Sequence, residues 1–419
     1  MNRRERLASA CLVLVVSLFP GPFPAIASAP RAACAGRWHR VSVEIDREFG
    51  YLTGVDSLSG SDAWAVGHSW NETTDRAPVR DVGVAIAGPL RRSETIEPAA
   101  TAPIRGAKRS SPLLLHWDGA SWSEVAADPI PGWSDLEGIS MSSPTDVWAV
   151  GARPRDASVA PLIQHFNGTD WSVVPVPDIG APSWLSAVHA LSPTDVWAVG
   201  GWDDRRSQRG LLMHYDGIEW TVFPGPKTWD AWFEAVDGSG PGDVWTSGLA
   251  NRISGRQSLY LQHFDGGAWT STPTGGHDGG AEGSGLAAFA PSDAWVVGSI
   301  WGWRNFKPVA QHWDGSVWTD VPVPNPGERG SVLSDVGGSG GDDVWTVGGS
   351  YRDFRDGWQV PTAAGFMWDG SAWIPVDVPT PREMSYLASL SVTPDGARFA
   401  VGSAARRPLG SKVLIAHAC

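Results

Sequence analysis

Past its N-terminal residues the chain has no apolar run long enough to span a bilayer. Positive charge is also in deficit. The formal net charge is −13 at pH 7, and near −15 once residues 1–27, which contribute +2, are set aside. Such a surface argues against nucleic acid or an anionic membrane as the main partner. No segment has metal-ligand spacing, a nucleophile elbow or a phosphate-binding loop, so neither a metal nor another cofactor is expected. Cysteine is scarce, three in 419 residues. Cys11 precedes most of the N-terminal apolar run, where a lipoprotein cysteine would not stand.

Tryptophan, by contrast, is abundant, with 25 copies, and most of them fall into a repeat. Its first half, D-x-W-x-x-G, begins at Asp62, Asp146, Asp195, Asp243, Asp293 and Asp343, and a seventh version has Phe399 in place of the tryptophan. Its second half, H-aromatic-D-G-x-x-W, ends at Trp122, Trp171, Trp220, Trp269, Trp318 and Trp373, at spacings of 49, 49, 49, 49 and 55 residues. Each period divides into four short strands. In the third copy they are 185–191, 195–200, 211–215 and 218–223, with Pro193-Thr194 and Asp216-Gly217 as turns. A four-stranded meander has two apolar faces and cannot bury both alone. Repeats of this size therefore stack as the blades of a β-propeller.

Counting blades predicts seven and shows how the ring closes. The segment around Trp38 matches only the last strand of a blade, and the segment around His417 only the third. With residues 387–402 they complete blade seven as three strands plus one, leaving no open sheet edge. Residues 34–419 thus form the propeller. Cys34 and Cys419 fall where other blades have their Asp-Gly turn, which predicts a disulfide across the cut hairpin. Residues 1–27 have the basic, apolar and small-residue regions of a secretory signal, with cleavage after Ala27. The mature chain is expected to be secreted and monomeric. Residues 71–110, rich in Ala, Pro, Thr and Arg, interrupt blade one as an insertion expected to be a flexible surface loop.

The D-x-W strands and D-G-x-x-W hairpins resemble those of bacterial secreted propeller proteins. In repeat style the chain is similar to Kelch/galactose-oxidase-like and Asp-box propellers. The Kelch Gly-Gly pair is present only at Gly200-Gly201 and Gly348-Gly349, and the Asp-box pattern has one more residue between Asp and Trp. The resemblance implies a fold and names no activity.

Residues that recur in every blade are most simply structural. That assigns the histidines 116, 165, 214, 263, 312 and 417 to packing, and the six D-x-W aspartates to ties between a strand turn and neighbouring backbone. Sixteen tryptophans belong to the repeat. The other nine, Trp70, Trp133, Trp184, Trp202, Trp229, Trp232, Trp301, Trp303 and Trp358, fall in loops that emerge on one face of the disc. Trp184 and Trp232 share a position with Tyr51 and Tyr386, which suggests capping. Trp202, Trp229, Trp301, Trp303 and Trp358 have no such equivalents. With Arg304 and Arg352, and beside Arg205, Arg206 and Arg355, they are the candidate ligand-binding residues. Glu137, Glu234, Asp237 and Asp335 lie on or beside inner strands and are the candidates for a paired-carboxylate catalytic site. The expected function is an extracellular binding module for a glycan or a protein. The alternatives are a polysaccharide-active hydrolase or lyase, and a purely structural surface protein.

Overall fold

The computed structural model describes residues 36–71, 110–156, 158–204, 207–223, 230–251, 257–274, 280–301, 305–353, 359–379, 381, 384–405 and 411–419. The chain divides into two units, Met1–Ala35 and Gly36–Cys419, and every described residue belongs to the second. The expected leader, Cys34 and all but the ends of the insertion therefore lie outside the described residues.

Seven antiparallel sheets of four strands make up the ring. The inner strands, in blade order, are Phe49–Ser59, Asp135–Ser143, Ser183–Ser192, Ala231–Gly240, Ala281–Ala290, Gly330–Gly340 and Met384–Val392. Blade seven continues through Arg398–Ala405 and Ser411–Ala418, and its outer strand is His39–Val41 from the other end of the chain. His39 stands opposite His417 and Val41 opposite Ile415, the three-plus-one closure that the repeat count predicts.

The repeat residues account for this geometry. In each D-G-x-x-W hairpin the Asp or Asn side chain accepts from the next two free amides. Asp118 Oδ1, for instance, takes the N–H groups of Ala120 (2.9 Å) and Ser121 (2.8 Å), while Gly119 turns at a φ of 92°. Asn167, Asp216, Asp265, Asp314 and Asp369 repeat the arrangement. The tryptophan that follows packs edge-on against the D-x-W ring of the preceding blade: Trp64 on Trp171 (5.2 Å), Trp148 on Trp220 (5.5 Å), Trp197 on Trp269 (5.2 Å), Trp245 on Trp318 (5.2 Å) and Trp295 on Trp373 (5.3 Å). The same contact crosses the closure as Trp345 on Trp38 and Phe399 on Trp122. The core consequently lies between blades, where each blade buries its neighbour's face.

The D-x-W aspartates differ from expectation in their partner. In blades one to five they bond the repeat histidine of their own blade rather than neighbouring backbone: Asp62–His116 at 3.0 Å, Asp146–His165 at 2.6 Å, Asp195–His214 at 2.8 Å, Asp243–His263 at 2.7 Å and Asp293–His312 at 2.9 Å. The register explains it, because the histidine on the third strand stands directly opposite the tryptophan two residues after the aspartate. Its ring lies 4.1–4.6 Å from that indole, within reach of the carboxylate.

Candidate functional site

Each inner strand begins at the face where the second strand of its blade ends. Tyr51 pairs with His68, Trp232 with Leu249, Glu282 with Ser299 and Tyr386 with Ser403. All seven inner strands then break register at the same position, where one residue is extra. Those extra residues are Thr53, Glu137, Ser186, Glu234, Ser284, Ser334 and Ala388. A bulge re-aims its side chain out of the regular alternation. Directly after it the blades crowd together: a Cβ on Gly138 would come 2.9 Å from the Cα of Ala187, and one on Gly285 2.5 Å from the Cα of Asp335. The residues at this position, Gly54, Gly138, Ala187, Ala235, Gly285, Asp335 and Ser389, are accordingly mostly small.

In blades two and four the bulge residue is a glutamate, and blade five adds Glu282 two positions earlier. Burial pushes the Glu137 carboxyl up to about 8, with Asp135 and Glu234 adding to the rise. Burial raises Glu282 to about 8, helped by Glu234 and partly offset by the neighbouring Trp301 indole N–H. Glu234 reaches about 7 through burial, moderated by the Trp232 indole, which donates to Oε1 at 2.5 Å. Glu137 is 42 % exposed as a side chain and Glu234 is more open, yet both are strongly desolvated. The two facts agree for groups on the wall of a narrow opening, which water reaches but surrounding protein keeps at low dielectric.

Aromatic residues complete the mouth. Burial drives Tyr51 and Tyr351 well above the ordinary phenol range and Tyr386 to about 12, and Glu137 or Glu282 reinforces each rise. The Tyr386 hydroxyl shares a 2.6 Å hydrogen bond with Ser334. Tyr351 is 2 % exposed, and its hydroxyl has no hydrogen-bond partner among the described residues. His68 is 3 % exposed, packs edge-on against Tyr51 at 4.2 Å, and lies 3.8 Å from Glu137 and 3.7 Å from Asp135. Burial lowers its pKa, so the ring is neutral near pH 7, and its Nδ1 makes no hydrogen bond.

Of the four acids singled out in the sequence, the structure brings Glu137 and Glu234 to this mouth and puts the other two to another use. Asp237 accepts from the Ala288 amide of the next blade (2.8 Å) and pairs with His189 of the previous one (2.8 Å). Asp335 accepts from Val336, Ser389 and Leu390, joining blades six and seven, although burial still raises it to about 7. Asp56 ties blade one to blade two through the Met141 amide (2.8 Å). Both ring nitrogens of His189 face acceptors, Asp237 and the Gly238 carbonyl, so it is held as an imidazolium. Its pKa is raised because Asp237 and Asp56 outweigh the burial that opposes charge.

Glu282 escaped the sequence reading, although the repeat contains the signal. The aligned position is aromatic in four other blades (Tyr51, Trp184, Trp232 and Tyr386) and holds Asp135 and Val332 in the remaining two, so the acids there break the aromatic pattern. Among the candidate aromatics, Trp301 is half-buried, edge-on to Phe306 at 5.0 Å and beside Val332 and Tyr351. Trp202 is half-buried against the core between blades two and three. Trp184 is a cap as expected, 7 % exposed over Gly201. Arg352 is exposed. Trp229, Trp303, Trp358, Arg304, Arg205, Arg206 and Arg355 lie outside the described residues. Among the described residues no three His, Cys, Asp or Glu side chains converge closely enough to hold a metal ion.

No family model matches the chain, and no curated protein does. Solved structures resemble it in fold. YCF48 bound to D1 peptide is 13 % identical with a TM-score of 0.54, over 91 % of this chain and 96 % of that one. YCF48 from Cyanidioschyzon merolae is 14 % identical with a TM-score of 0.52, over 91 % and 98 %. The GH74 xyloglucanase from Xanthomonas campestris is 13 % identical with a TM-score of 0.51, over 90 % of this chain and 55 % of that one. Identities this low establish the propeller fold and carry no activity with them.

Proposed function

We propose that the protein is an extracellular binding module whose ligand, a glycan or another protein, docks at the mouth of the channel on the Trp-bearing face. One observation carries this reading. The polar and aromatic groups that the repeat does not use (Glu137, Glu234, Glu282, His68, Tyr351 and Trp301) gather there, whereas Asp237 and Asp335 are spent on joining blades. Propellers of this fold serve both kinds of ligand: one is bound to a peptide and another is a xyloglucanase. A glycan array and a peptide-display screen, each repeated with Trp301→Ala, test the reading. Binding that drops tenfold or more in the variant is expected, and ligands indifferent to the change would remove it.

Export through a leader at residues 1–27 and a Cys34–Cys419 disulfide belong to the same proposal. The Gly36 amide, which donates to the Cys419 carbonyl at 3.2 Å, supports the pairing by bringing the chain just after Cys34 to Cys419. Titration of the native exported protein is expected to find no reactive thiol, and two reactive thiols would overturn it.

A hydrolytic alternative draws on Glu137 and Glu234 specifically, since carboxyls raised to about 8 and about 7 suit a general acid. Product release from a polysaccharide that vanishes in Glu234→Gln would favour it.

A further inference from the structure

The acids at the mouth lack the counter-charge that such a group ordinarily has. Asp135, Glu137, Glu234 and Glu282 come from three blades, and their fields overlap: Glu137 feels Asp135 and Glu234, and Glu282 feels Glu234. Among the described residues no lysine or arginine lies within 4.0 Å of any of the three glutamates, and the nearby histidine is neutral. Once ionised, such acids repel one another in low dielectric, a cost that no cation among the described residues offsets.

The surrounding groups indicate what would offset it. Tyr51, Trp232, Trp301 and Tyr386, each half-buried, supply aromatic rings near these acids, and ring faces attract cations. Two almost fully buried polar atoms, Nδ1 of His68 and the hydroxyl of Tyr351, lie beside the carboxyls without a hydrogen-bond partner among the described residues. His68 is 3.7–3.8 Å from Asp135 and Glu137, and Tyr351 is coupled to Glu282. A neutral imidazole and a phenol both offer acceptor lone pairs to a donor-rich ligand. The carboxyls are close enough to perturb one another but do not converge as a metal site. That combination suits an extended, multi-donor cation better than a bare ion.

We propose that the channel mouth binds an organic cation, an alkylammonium or guanidinium group carried by a peptide side chain or by a free polyamine. The inference rests on the mouth being the ligand site. The cation would sit between Glu137, Glu234 and Glu282, sharing its donors among them and its charge with the aromatic wall. Binding would also draw protons off the carboxyls. The groups facing the ligand are Asp135, the three glutamates, His68, Tyr51, Tyr351 and Tyr386. Of these, Glu137, Glu234 and Glu282 titrate in the range from about 7 to about 8. Affinity should therefore rise with pH across that range.

Calorimetry on the full-length protein tests the inference, with tetra-arginine, tetra-lysine, its fully acetylated counterpart and spermine as probes at pH 6 and pH 8. The expected result is saturable binding of a charged probe, at least tenfold tighter at pH 8, with proton release and loss of tenfold or more in Glu234→Gln. A preference for the peptides or for spermine identifies the source of the cation. Glu219→Gln, on an exposed outer hairpin, controls for general attraction to an acidic protein and is expected to change nothing. Equal losses in the two variants, binding of the acetylated peptide as tight as the free one, or affinity indifferent to pH would each overturn the inference, provided melting curves show the variants folded. A glycan or neutral peptide lost in Trp301→Ala, with no cation bound, overturns the cation alone and leaves the mouth as a binding site. Failure of every probe, neutral and charged, overturns both.

Discussion

The two faces of the disc treat a carboxylate in opposite ways. Toward the face where inner strands end, the acids that recur in the repeat or join blades have partners: the D-x-W aspartates of blades one to five bond histidines, Asp237 has His189 and the Ala288 amide, and Asp56 has the Met141 amide. On the face where inner strands begin, Glu137, Glu234 and Glu282 have the Trp232 and Trp301 indoles, a neutral histidine and one another. A fold able to satisfy acids in five successive blades leaves three unsatisfied in one place. Burying a charge without compensation is costly, so its persistence in one locality points to use rather than scaffold.

The largest expected effect concerns what the two faces share. Trp295 is 1 % exposed and touches His312, Trp368 and Trp373. Trp295→Ala should cost about 3–5 kcal/mol in denaturant unfolding, whereas the half-buried Trp301→Ala should cost clearly less. Equal costs would mean that the mouth is as much scaffold as the blade interfaces.

Next comes the same change made at two levels of the inner strands. Asp237→Asn leaves the His189 imidazolium without its carboxylate and should destabilise by about 1–3 kcal/mol. His189 has a raised pKa, so the stability it contributes is fully present below its unfolded value of about 6.5 and is lost as pH rises through the higher folded value. The gap between wild type and variant should be widest near pH 6 and narrow as pH rises through the folded value. Glu137→Gln should act with the other sign. A carboxyl raised from 4.5 to about 8 favours the folded state below 4.5, and that contribution is lost as pH climbs to 8. The variant escapes the loss and should melt higher than wild type at pH 8, by roughly 2 °C, and no differently at pH 4. Thermal melts of the two variants at three pH values check both signs, and a shift in the same direction for both would erase the distinction between the faces.

How much of this was legible in the sequence follows from repetition. The blade count, the three-plus-one closure and the scaffold role of the histidines came through because seven copies of one unit act as an internal alignment. Two things did not. The bulge at Glu137 and Glu234 is a register shift of the backbone, and the residues around it carry no glycine or proline signal common to all seven blades. The division of labour between Glu234 and Asp237, three residues apart on one strand, depends on which neighbouring amides each can reach. Glu282 is legible in principle, since it stands with Asp135 at a position that is aromatic in four blades.

The smallest effect tests how far pairing on the first face is a requirement of the repeat. Blade six lacks the histidine, with Met367 opposite Trp345 where other blades align His with Trp. Blade seven lacks the aspartate, and its His417 stacks on Phe399 at 4.4 Å instead. The two departures compensate. Arg398, next to the Ala397 that stands where the blade-seven aspartate would be, reaches back to lie over the Trp345 ring at 4.1 Å and 4.0 Å from Asp343. Asp343 thus has a cation near it, together with the Ser339 hydroxyl and the Trp345 indole. Met367→His would restore the lost bond only by competing with Arg398 for the same ring and the same carboxylate, so the gain and the loss should nearly cancel. A change within about 1 kcal/mol is expected by denaturant unfolding. In Arg398→Met, where no competitor remains, adding Met367→His should recover stability. Failure to recover would mean that Asp343 is adequately held by its uncharged donors, and that a charged partner is a habit of this face rather than a need.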